Sequence, residues 1–140
     1  MILGIGIDAI EIERFVDWAN MTQESLKKTL TQDEIDYCLE IPAKAPERFA
    51  ARFATKEAFF KAFCQMTPEH NIPFLTICQN TSVTQTQHGR PELVINWENI
   101  LENSKIQDKR QNSKNPQIIS HTSITHTQKT ATVIVILERL

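Results

Sequence analysis

The first residues of the chain alternate between apolar positions and small or polar ones, as they do in a β-strand. Leu3, Ile5 and Ile7 fall on one side of this predicted strand, and Ile2, Gly4, Gly6 and Asp8 fall on the other. Because a glycine has no side chain, we expect open space beside the carboxylate of Asp8.

Residues 11–20 change to the spacing of a helix. The apolar positions of this segment, which form one stripe, are Ile12, Phe15, Val16 and Ala19. Arg14 lies outside the stripe, so we expect its side chain to face solvent or a partner. Further on, Thr31 and Glu34 have the spacing of a capping box, which predicts a short helix from there to about Leu39.

A long helix is predicted over residues 46–63, with Pro46 in its first turn. At about 100° per residue its phenylalanines form one narrow stripe, which we interpret as a buried face: Phe49, Phe53, Phe60 and Phe63. A second stripe beside it consists of Ala50, Ala54, Glu57 and Lys61. An acid and a base therefore lie one turn apart on this helix.

The remaining residues favour β-structure. Strands are predicted at 72–78, 92–96, 118–125 and 130–137, with a turn at His88-Gly89-Arg90-Pro91 before the second of them. The last strand is apolar on both faces, which is typical of a central strand. Trp97, Ile100 and Leu101 predict a short helix, and residues 103–116 a polar loop.

Composition narrows the class of protein. The 140 residues are 41% hydrophobic and 23% charged, which predicts one folded domain spanning 1–140. A net charge of −2 does not favour non-specific binding to nucleic acid. The three cysteines have no C-x-x-C spacing, so we interpret them as reduced thiols. Without a membrane-length apolar run or a basic leader, the sequence predicts a soluble, cytoplasmic protein with no membrane partner.

Asp8, Glu57 and Lys61 are the strongest candidates for chemistry. Carboxylates on a strand end and on a helix suit Mg²⁺, which takes one or two carboxylates together with substrate phosphate and water. Lys61 could direct its charge at the same phosphate. The alternatives are a solvent-exposed Glu57–Lys61 pair on one helix face and an ordinary turn residue at Asp8.

Residues 119–127, ISHTSITHT, form a second candidate site. His121 and His126 are spaced as H-x₄-H, but no third metal ligand lies nearby in the sequence. A segment rich in donors also suits a phosphate or a ribose, and the alternative is a polar strand or turn with local hydrogen bonds. The opening GIGID lacks the third glycine of a dinucleotide-binding fingerprint, and no P-loop or nucleophile–base signature is present.

Taken in order, these segments resemble the holo-acyl-carrier-protein synthases, the short class of 4′-phosphopantetheinyl transferases. The resemblance is carried by residues 4–14 (GIGIDAIEIER), 48–62 (RFAARFATKEAFFKA) and 121–127 (HTSITHT). The turn at 88–91 matches the family's G-K-P turn. The resemblance implies an α+β fold, in which an antiparallel sheet packs against a long helix, and a homotrimer with active sites where subunits meet.

The resemblance also implies an activity. Members of this family move the 4′-phosphopantetheine arm of coenzyme A onto a serine of acyl carrier protein and release adenosine 3′,5′-bisphosphate. The matching residues are Asp8 and Glu57 for the Mg²⁺ ion and Lys61 for the phosphate. Glu57, directly or through a metal-bound water, is our first candidate for accepting the serine proton, and Asp8 is the second.

The resemblance further implies positions for the two substrates. Those expected near the nucleotide end of coenzyme A are Arg52, Gly89, Arg90, Pro91, His121 and Ser123. Arg14 matches an arginine that contacts the acidic carrier protein. The chain lacks the family's glycine after the long helix and most of its carrier-binding arginines. These differences support one alternative, a non-catalytic coenzyme A-binding module. A second alternative is a Mg²⁺-dependent hydrolase of nucleotides or pyrophosphate that uses the same Asp8, Glu57 and Lys61.

Overall fold

A computed structural model describes residues 1–69, 71–104 and 117–140. The fold is α+β, with antiparallel sheets and one long helix. The strands are β1 (Ile2–Glu11), β2 (Thr81–Gln85), β3 (Pro91–Ile95), β4 (Ile118–His126) and β5 (Thr130–Arg139). The helices are α1 (Gln23–Leu26), α2 (Gln32–Leu39), α3 (Ala45–Met66), α4 (Phe74–Gln79) and α5 (Trp97–Asn103). Within the described ranges the strands form a sheet in the order β1-β5-β4 and a β2-β3 hairpin, both antiparallel.

The backbone of helix α3 packs directly on strand β1. A Cβ atom on Gly4 would lie 2.1 Å from the carbonyl oxygen of Ala62, and one on Gly6 would lie 1.8 Å from that of Ala58. The expectation of open space beside Asp8 is therefore wrong on this side of the strand, because the helix fills it. The glycines allow a helix and a strand to approach more closely than any side chain would permit.

Strand β5 lies at the centre of its sheet, as its apolar pattern predicts. The side chains of Val133, Val135 and Leu137 are fully buried on the face that packs against α3. Ile134 and Ile136 point the other way, opposite Ile7 and Ile5 of β1. This outer face is apolar but uncovered, with 59% of Ile7 and 42% of Ile5 exposed.

Helix α3 confirms the prediction for residues 46–63 and extends it to Met66. Phe49 and Phe63 are fully buried, whereas Phe53 and Phe60 are half-buried. The two half-buried rings contact Phe74 of α4 edge-on, with ring centroids 5.6 Å apart in each case. The aromatic stripe therefore joins the long helix to the shorter one.

The helix predicted in residues 11–20 is wrong. Two 3₁₀ turns, Ile12–Phe15 and Trp18–Asn20, replace it. With three residues per turn, a 3₁₀ turn buries a narrower stripe than an α-helix. Ile12 and Phe15 are buried, but Val16 and Ala19 are exposed.

The strand predicted at residues 72–78 is also wrong, because helix α4 begins there after Pro73. Ile77 and Cys78 form its buried face, and strand β2, which the pattern did not predict, follows at Thr81. Ile72 is buried ahead of the helix, so a run of apolar residues that looks like a strand is divided between a loop and a helix.

Other local predictions are confirmed. Thr31 and Glu34 form both hydrogen bonds of the capping box at the start of α2. Gly89 has φ of +74° in the β2–β3 turn, a conformation that suits glycine. Residues 105–116 of the predicted loop lie outside the described residues. All three cysteines are free thiols. Within the described chain, no helix is both long enough and apolar enough to span a membrane.

Candidate active site

Asp8 and Lys61 meet between strand β1 and helix α3. The Lys61 ammonium donates hydrogen bonds to Asp8 Oδ1 at 2.8 Å and to the carbonyl oxygen of Ile7 at 3.0 Å. The side chain of Asp8 is 14% exposed and that of Lys61 is 47% exposed. Asp8 lies within β1 rather than at its end, on the strand face that packs against the helix.

Glu57 lies one turn before Lys61 on α3, beside the carboxylate of Asp8. Burial and, to a smaller extent, the charge of Asp8 raise the pKa of Glu57, whereas Lys61 and Arg14 act to lower it. Glu57, Asp8, Arg14 and Phe53 line an open cavity of about 230 Å³. Two carboxylates and a cation therefore share one small cavity at the surface.

The structure contradicts the simplest alternative for this cluster, a Glu57–Lys61 pair on one helix face. Lys61 forms its ion pair with Asp8, 53 residues away in the chain, and no Lys61–Glu57 ion pair is found in the described residues. Asp8 is likewise not an isolated turn residue. Tertiary packing of β1 on α3 creates the cluster, because the glycines of β1 bring the two elements into contact.

The donor set of the cavity fits Mg²⁺. Only Asp8 and Glu57 supply carboxylates, and no group of three or more acidic, histidine or cysteine side chains suited to a metal ion is found in the described ranges. This small number suits magnesium, which usually keeps several waters and takes its remaining ligands from substrate phosphate. Burial is the main cause of the raised pKa of Glu57, and the neighbouring charge of Asp8 adds to it.

Arg14 lies at the rim of the same cavity, and its side chain is exposed, as predicted. It follows β1 within the first 3₁₀ turn, where Ile12 and Phe15 fix the backbone by burying their side chains. Arg14 is therefore placed to contact a ligand or a protein that covers the cavity.

The other predicted residues lie elsewhere in the chain. Arg52 is on α3, five residues and therefore about 140° around the helix from Glu57, and it contacts α2 through Tyr37. Gly89 and Arg90 are exposed in the β2–β3 turn, and Pro91 begins β3. None of these three turn residues lines the cavity of Asp8.

His121 and Ser123 are exposed on the outer face of strand β4, opposite Ile136 and Ile134. That face is the reverse of the one on which Asp8 lies, because α3 covers the inner face. His121 Nε2 lies 2.9 Å from Glu138 Oε2. The second histidine, His126, lies at 3.2 Å from Glu47 instead, so the H-x₄-H pair does not form one metal site.

Sequence reasoning did not detect two polar clusters between α2 and α3. One is a buried ion pair of Glu34 and Lys56, with Oε2 and Nζ 2.8 Å apart. The other is Tyr37, whose ring contacts both Arg48 and Arg52. Apart from the capping box that includes Glu34, the sequence carries no signal for them, since their partners lie on separate helices.

Residues 4–131 match the family model of the 4′-phosphopantetheinyl transferase superfamily. The chain belongs to this superfamily, and the predicted resemblance is confirmed. The holo-[acyl-carrier-protein] synthase of Bacillus subtilis (strain 168) is 32% identical over 141 residues, covering 100% of this chain and 98% of that protein.

Solved structures agree with this assignment. A holo-(acyl-carrier-protein) synthase from Bacillus anthracis str. Ames, crystallised in complex with CoA (3′,5′-ADP), is 26% identical with a TM-score of 0.72, covering 100% of this chain and 99% of that one. The ACPS–CoA complex of Chronobacterium ammoniagenes has a TM-score of 0.74 at 22% identity, covering 98% of this chain and 97% of that one, and supports the fold.

Proposed function

We propose that this chain, as a single domain spanning 1–140, is a holo-[acyl-carrier-protein] synthase. It transfers 4′-phosphopantetheine from coenzyme A to a serine of apo acyl carrier protein and releases adenosine 3′,5′-bisphosphate. The observation that carries the proposal is the cavity shared by Asp8, Glu57 and Arg14, with Lys61 bound to Asp8, in a chain of this superfamily.

The pyrophosphate of coenzyme A is the group that this cavity suits. The Lys61 ammonium donates to the carbonyl oxygen of Ile7 and to Asp8 Oδ1. Since it has a third N–H and this side chain is 47% exposed, it can also bind a phosphate oxygen. Asp8 and Glu57 would hold Mg²⁺, which when bound neutralises charge on the pyrophosphate and on the leaving phosphate. A larger cavity of about 780 Å³ suits the pyrophosphate less well, because Glu11, Glu13 and Glu47 line it.

In the transfer, the serine oxygen of the carrier forms a bond to the phosphorus that bears the pantetheine arm. The bridging P–O bond breaks, the electron pair leaves with adenosine 3′,5′-bisphosphate, and the serine proton passes to a base. Glu57 is our candidate for that base, with Asp8 second. Partial burial raises the pKa of Glu57 and so makes its carboxylate a better proton acceptor near neutral pH.

The two buried thiols of the described residues are not candidates for a nucleophile. Burial raises the pKa values of the thiols of Cys38 and Cys78 to about 12, so both are neutral and unreactive at physiological pH. This agrees with a reaction in which the attacking hydroxyl comes from the partner protein. Arg14 at the rim of the cavity is our candidate contact for the acidic carrier.

The nucleotide end of coenzyme A is assigned to residues that lie on separate surfaces of one chain: Arg52, Gly89, Arg90, Pro91, His121 and Ser123. We infer that a second copy of the chain brings some of them to the cavity of Asp8. The uncovered apolar face of Ile5, Ile7, Ile134 and Ile136 favours self-association, which agrees with the homotrimer that membership of this family implies. His121 and Ser123 lie on this same face.

The assembly is tested with Ile7→Glu, which places a charge in the centre of the outer face. Sedimentation velocity should show a trimer for the unmodified protein and a monomer for the variant, with loss of transfer activity. Val94→Glu is the matched control, because Val94 is 51% exposed on β3, outside this face. A monomeric unmodified protein with full activity would overturn the trimer.

The activity is tested by incubating the protein with coenzyme A and Mg²⁺, with and without apo carrier protein. Mass spectrometry should show one pantetheine arm added to the carrier, and release of the bisphosphate should require the carrier. Release of the bisphosphate at the same rate without carrier protein would indicate the hydrolase. Binding of coenzyme A without transfer or release indicates the non-catalytic module.

A further inference from the structure

Arg52 carries a buried charge that the described residues leave uncompensated. Only 5% of the residue is exposed, and its Nε atom is fully buried without a hydrogen-bond partner. Among residues 1–69, 71–104 and 117–140, none accepts a hydrogen bond from its guanidinium, and no carboxylate lies within 4.0 Å. A buried guanidinium without an anion is strongly unfavourable, so we expect an anionic ligand to bind Arg52.

Tyr37 of α2 holds this arginine next to a second one. The guanidinium carbons of Arg48 and Arg52 each lie 4.0 Å from the centroid of the Tyr37 ring. Arg48 also donates from Nη1 to the carbonyl oxygen of Tyr37 and to Glu40 Oε2 at 3.1 Å. The ring offsets part of the charge of each guanidinium through cation–π attraction and fixes their planes.

The position of Tyr37 is itself fixed from the other side. Its hydroxyl accepts a hydrogen bond from Gln85 Nε2 at 2.8 Å, at the end of β2 where the turn to β3 begins. The aromatic ring is thus held between the long helix and the hairpin whose turn contains Gly89. Tyr37 therefore links Arg52 to another of the surfaces assigned to the nucleotide.

Neighbouring groups do not supply the missing negative charge. Glu34 is the buried carboxylate of α2, but it is bound to Lys56 and to the backbone N–H groups of Thr31 and Val83. The thiol of Cys38 is neutral, because burial raises its pKa to about 12. The Glu40 carboxylate pairs with Arg48, is 65% exposed on its side chain, and is therefore largely screened by solvent.

We propose that Tyr37 is a positioning residue for coenzyme A, because it holds Arg48 and Arg52 together as a clamp for a phosphate monoester. The proposal rests on the function proposed above. Coenzyme A carries such a group on its ribose, separate from the pyrophosphate assigned to Lys61. Guanidinium groups bind phosphate oxygens through paired hydrogen bonds, and a planar ring that stacks on them restricts their orientation before the ligand arrives.

The test compares Tyr37→Leu, which removes the ring, with Tyr37→Phe, which keeps the ring and loses only the bond to Gln85. Tyr37→Leu should raise the KM for coenzyme A about tenfold, with the kcat and the KM for carrier protein changed less than about twofold. Tyr37→Phe should stay within about threefold of the unmodified enzyme. With dephospho-coenzyme A, which lacks the monoester, Tyr37→Leu and the unmodified enzyme should have the same KM.

Trp97→Leu is the matched control, because it removes another half-buried aromatic ring, one that contacts Phe59. It should lower the melting temperature without changing the KM for coenzyme A. If Tyr37→Leu raises the KM equally for coenzyme A and dephospho-coenzyme A, or leaves both unchanged, the clamp is overturned. If Tyr37→Leu does not fold, Arg48→Met decides in its place, with a smaller but selective rise expected for coenzyme A.

Calorimetric titration with adenosine 3′,5′-bisphosphate separates this proposal from the proposed activity. The unmodified protein should bind this nucleotide at least tenfold more tightly than adenosine 5′-monophosphate, a preference that Tyr37→Leu should remove. If the protein prefers adenosine 3′,5′-bisphosphate but transfers no pantetheine arm to the carrier, the proposed activity is overturned and the clamp is supported. An active enzyme without the preference would overturn the clamp alone.

Discussion

Lys56 and Glu34 form an ion pair with Nζ and Oε2 2.8 Å apart and neither side chain exposed. The ammonium also donates to the carbonyl oxygens of Thr29 and Cys78, at 2.8 and 3.0 Å. The carboxylate accepts from the backbone N–H groups of Thr31 and Val83. One pair therefore fixes the loop before α2, the end of α4 and the middle of β2 to the long helix, directly beside Glu57.

All three N–H groups of the Lys56 ammonium and both carboxylate oxygens of Glu34 are hydrogen-bonded, so removing one partner leaves the other charge buried alone. Lys56→Met should lower the free energy of unfolding by about 3–5 kcal/mol, measured by urea denaturation. The double variant Lys56→Met, Glu34→Leu should recover part of this loss, since no isolated charge remains. A loss below about 1 kcal/mol in the single variant would contradict the pair's structural role.

Gly6 gives a second prediction, because its missing side chain allows β1 to contact α3. A Cβ atom there would lie 1.8 Å from the carbonyl oxygen of Ala58, so the strand and the helix must separate. Gly6→Ala should destabilise the fold by about 3 kcal/mol and lower kcat, because Asp8 and Lys61 approach each other across the same contact. Urea denaturation and transfer assays measure the two effects.

Gly89→Ala is the control for this prediction. A Cβ atom at Gly89 would have no neighbour within 4 Å, and only its φ of +74° opposes the substitution. We expect a loss of about 1 kcal/mol there. If Gly6→Ala costs no more than Gly89→Ala, the close contact between helix and strand is not required for the fold.

The sequence predicted those parts of the fold that local rules control. The capping box of Thr31 and Glu34, the long helix with Pro46 in its first turn and the central strand that ends at Arg139 each depend on residues close in the chain. The prediction of a strand at residues 72–78 failed because an apolar run of that length suits a buried strand as well as a short helix. Only the packing of Ile77 against the core distinguishes the two.

The candidate site was predicted in its residues but not in its contacts. Asp8, Glu57 and Lys61 were identified by residue type and by resemblance, yet the partner of Lys61 is Asp8 rather than the residue one turn before it. That choice depends on the close approach of β1 to α3. Tyr37 carries no comparable signal, because the arginines that its ring contacts lie on a different helix.

Glu57 provides a prediction of pH dependence. Burial and the charge of Asp8 raise the pKa of Glu57 in the folded chain above its ordinary value of 4.5. The folded state therefore holds this proton more tightly than the unfolded state, and stability falls as the pH rises from below 4.5 through the raised value. Glu57→Gln has no such proton to lose, so its melting temperature should exceed that of the unmodified protein at pH 7.

The measurement is a series of thermal melts in a chelator, so that no divalent ion balances the carboxylates. The advantage of Glu57→Gln should shrink as the pH is lowered and vanish at about pH 3, where the unmodified carboxyl is protonated. The same variant should lose transfer activity at every pH. An advantage that does not change with pH would mean that the charge of Glu57 is not the cause.

Asp8→Asn separates the binding of a metal ion from the folding of the chain. The amide keeps the shape of the side chain and a hydrogen-bond acceptor for Lys61, so the melting temperature should change by less than about 3 °C. Transfer activity should fall by more than a hundredfold, roughly the loss of a group that stabilises transition-state charge. Retention of near-normal activity in Mg²⁺ would contradict the assignment of Asp8 to the metal.

Arg14 distinguishes the two substrates of the proposed reaction. Its exposed guanidinium lies at the rim of the cavity, and charge reversal there should repel an acidic carrier protein more than coenzyme A, for which we propose several other cationic contacts. Arg14→Glu should raise the KM for carrier protein about tenfold and the KM for coenzyme A less than about threefold, with added salt reducing the difference.

Arg90→Glu is the control, because Arg90 is an exposed arginine assigned to the nucleotide, and it should raise the KM for coenzyme A instead. Equal effects of Arg14→Glu on both KM values would mean that Arg14 supports the cavity rather than the carrier.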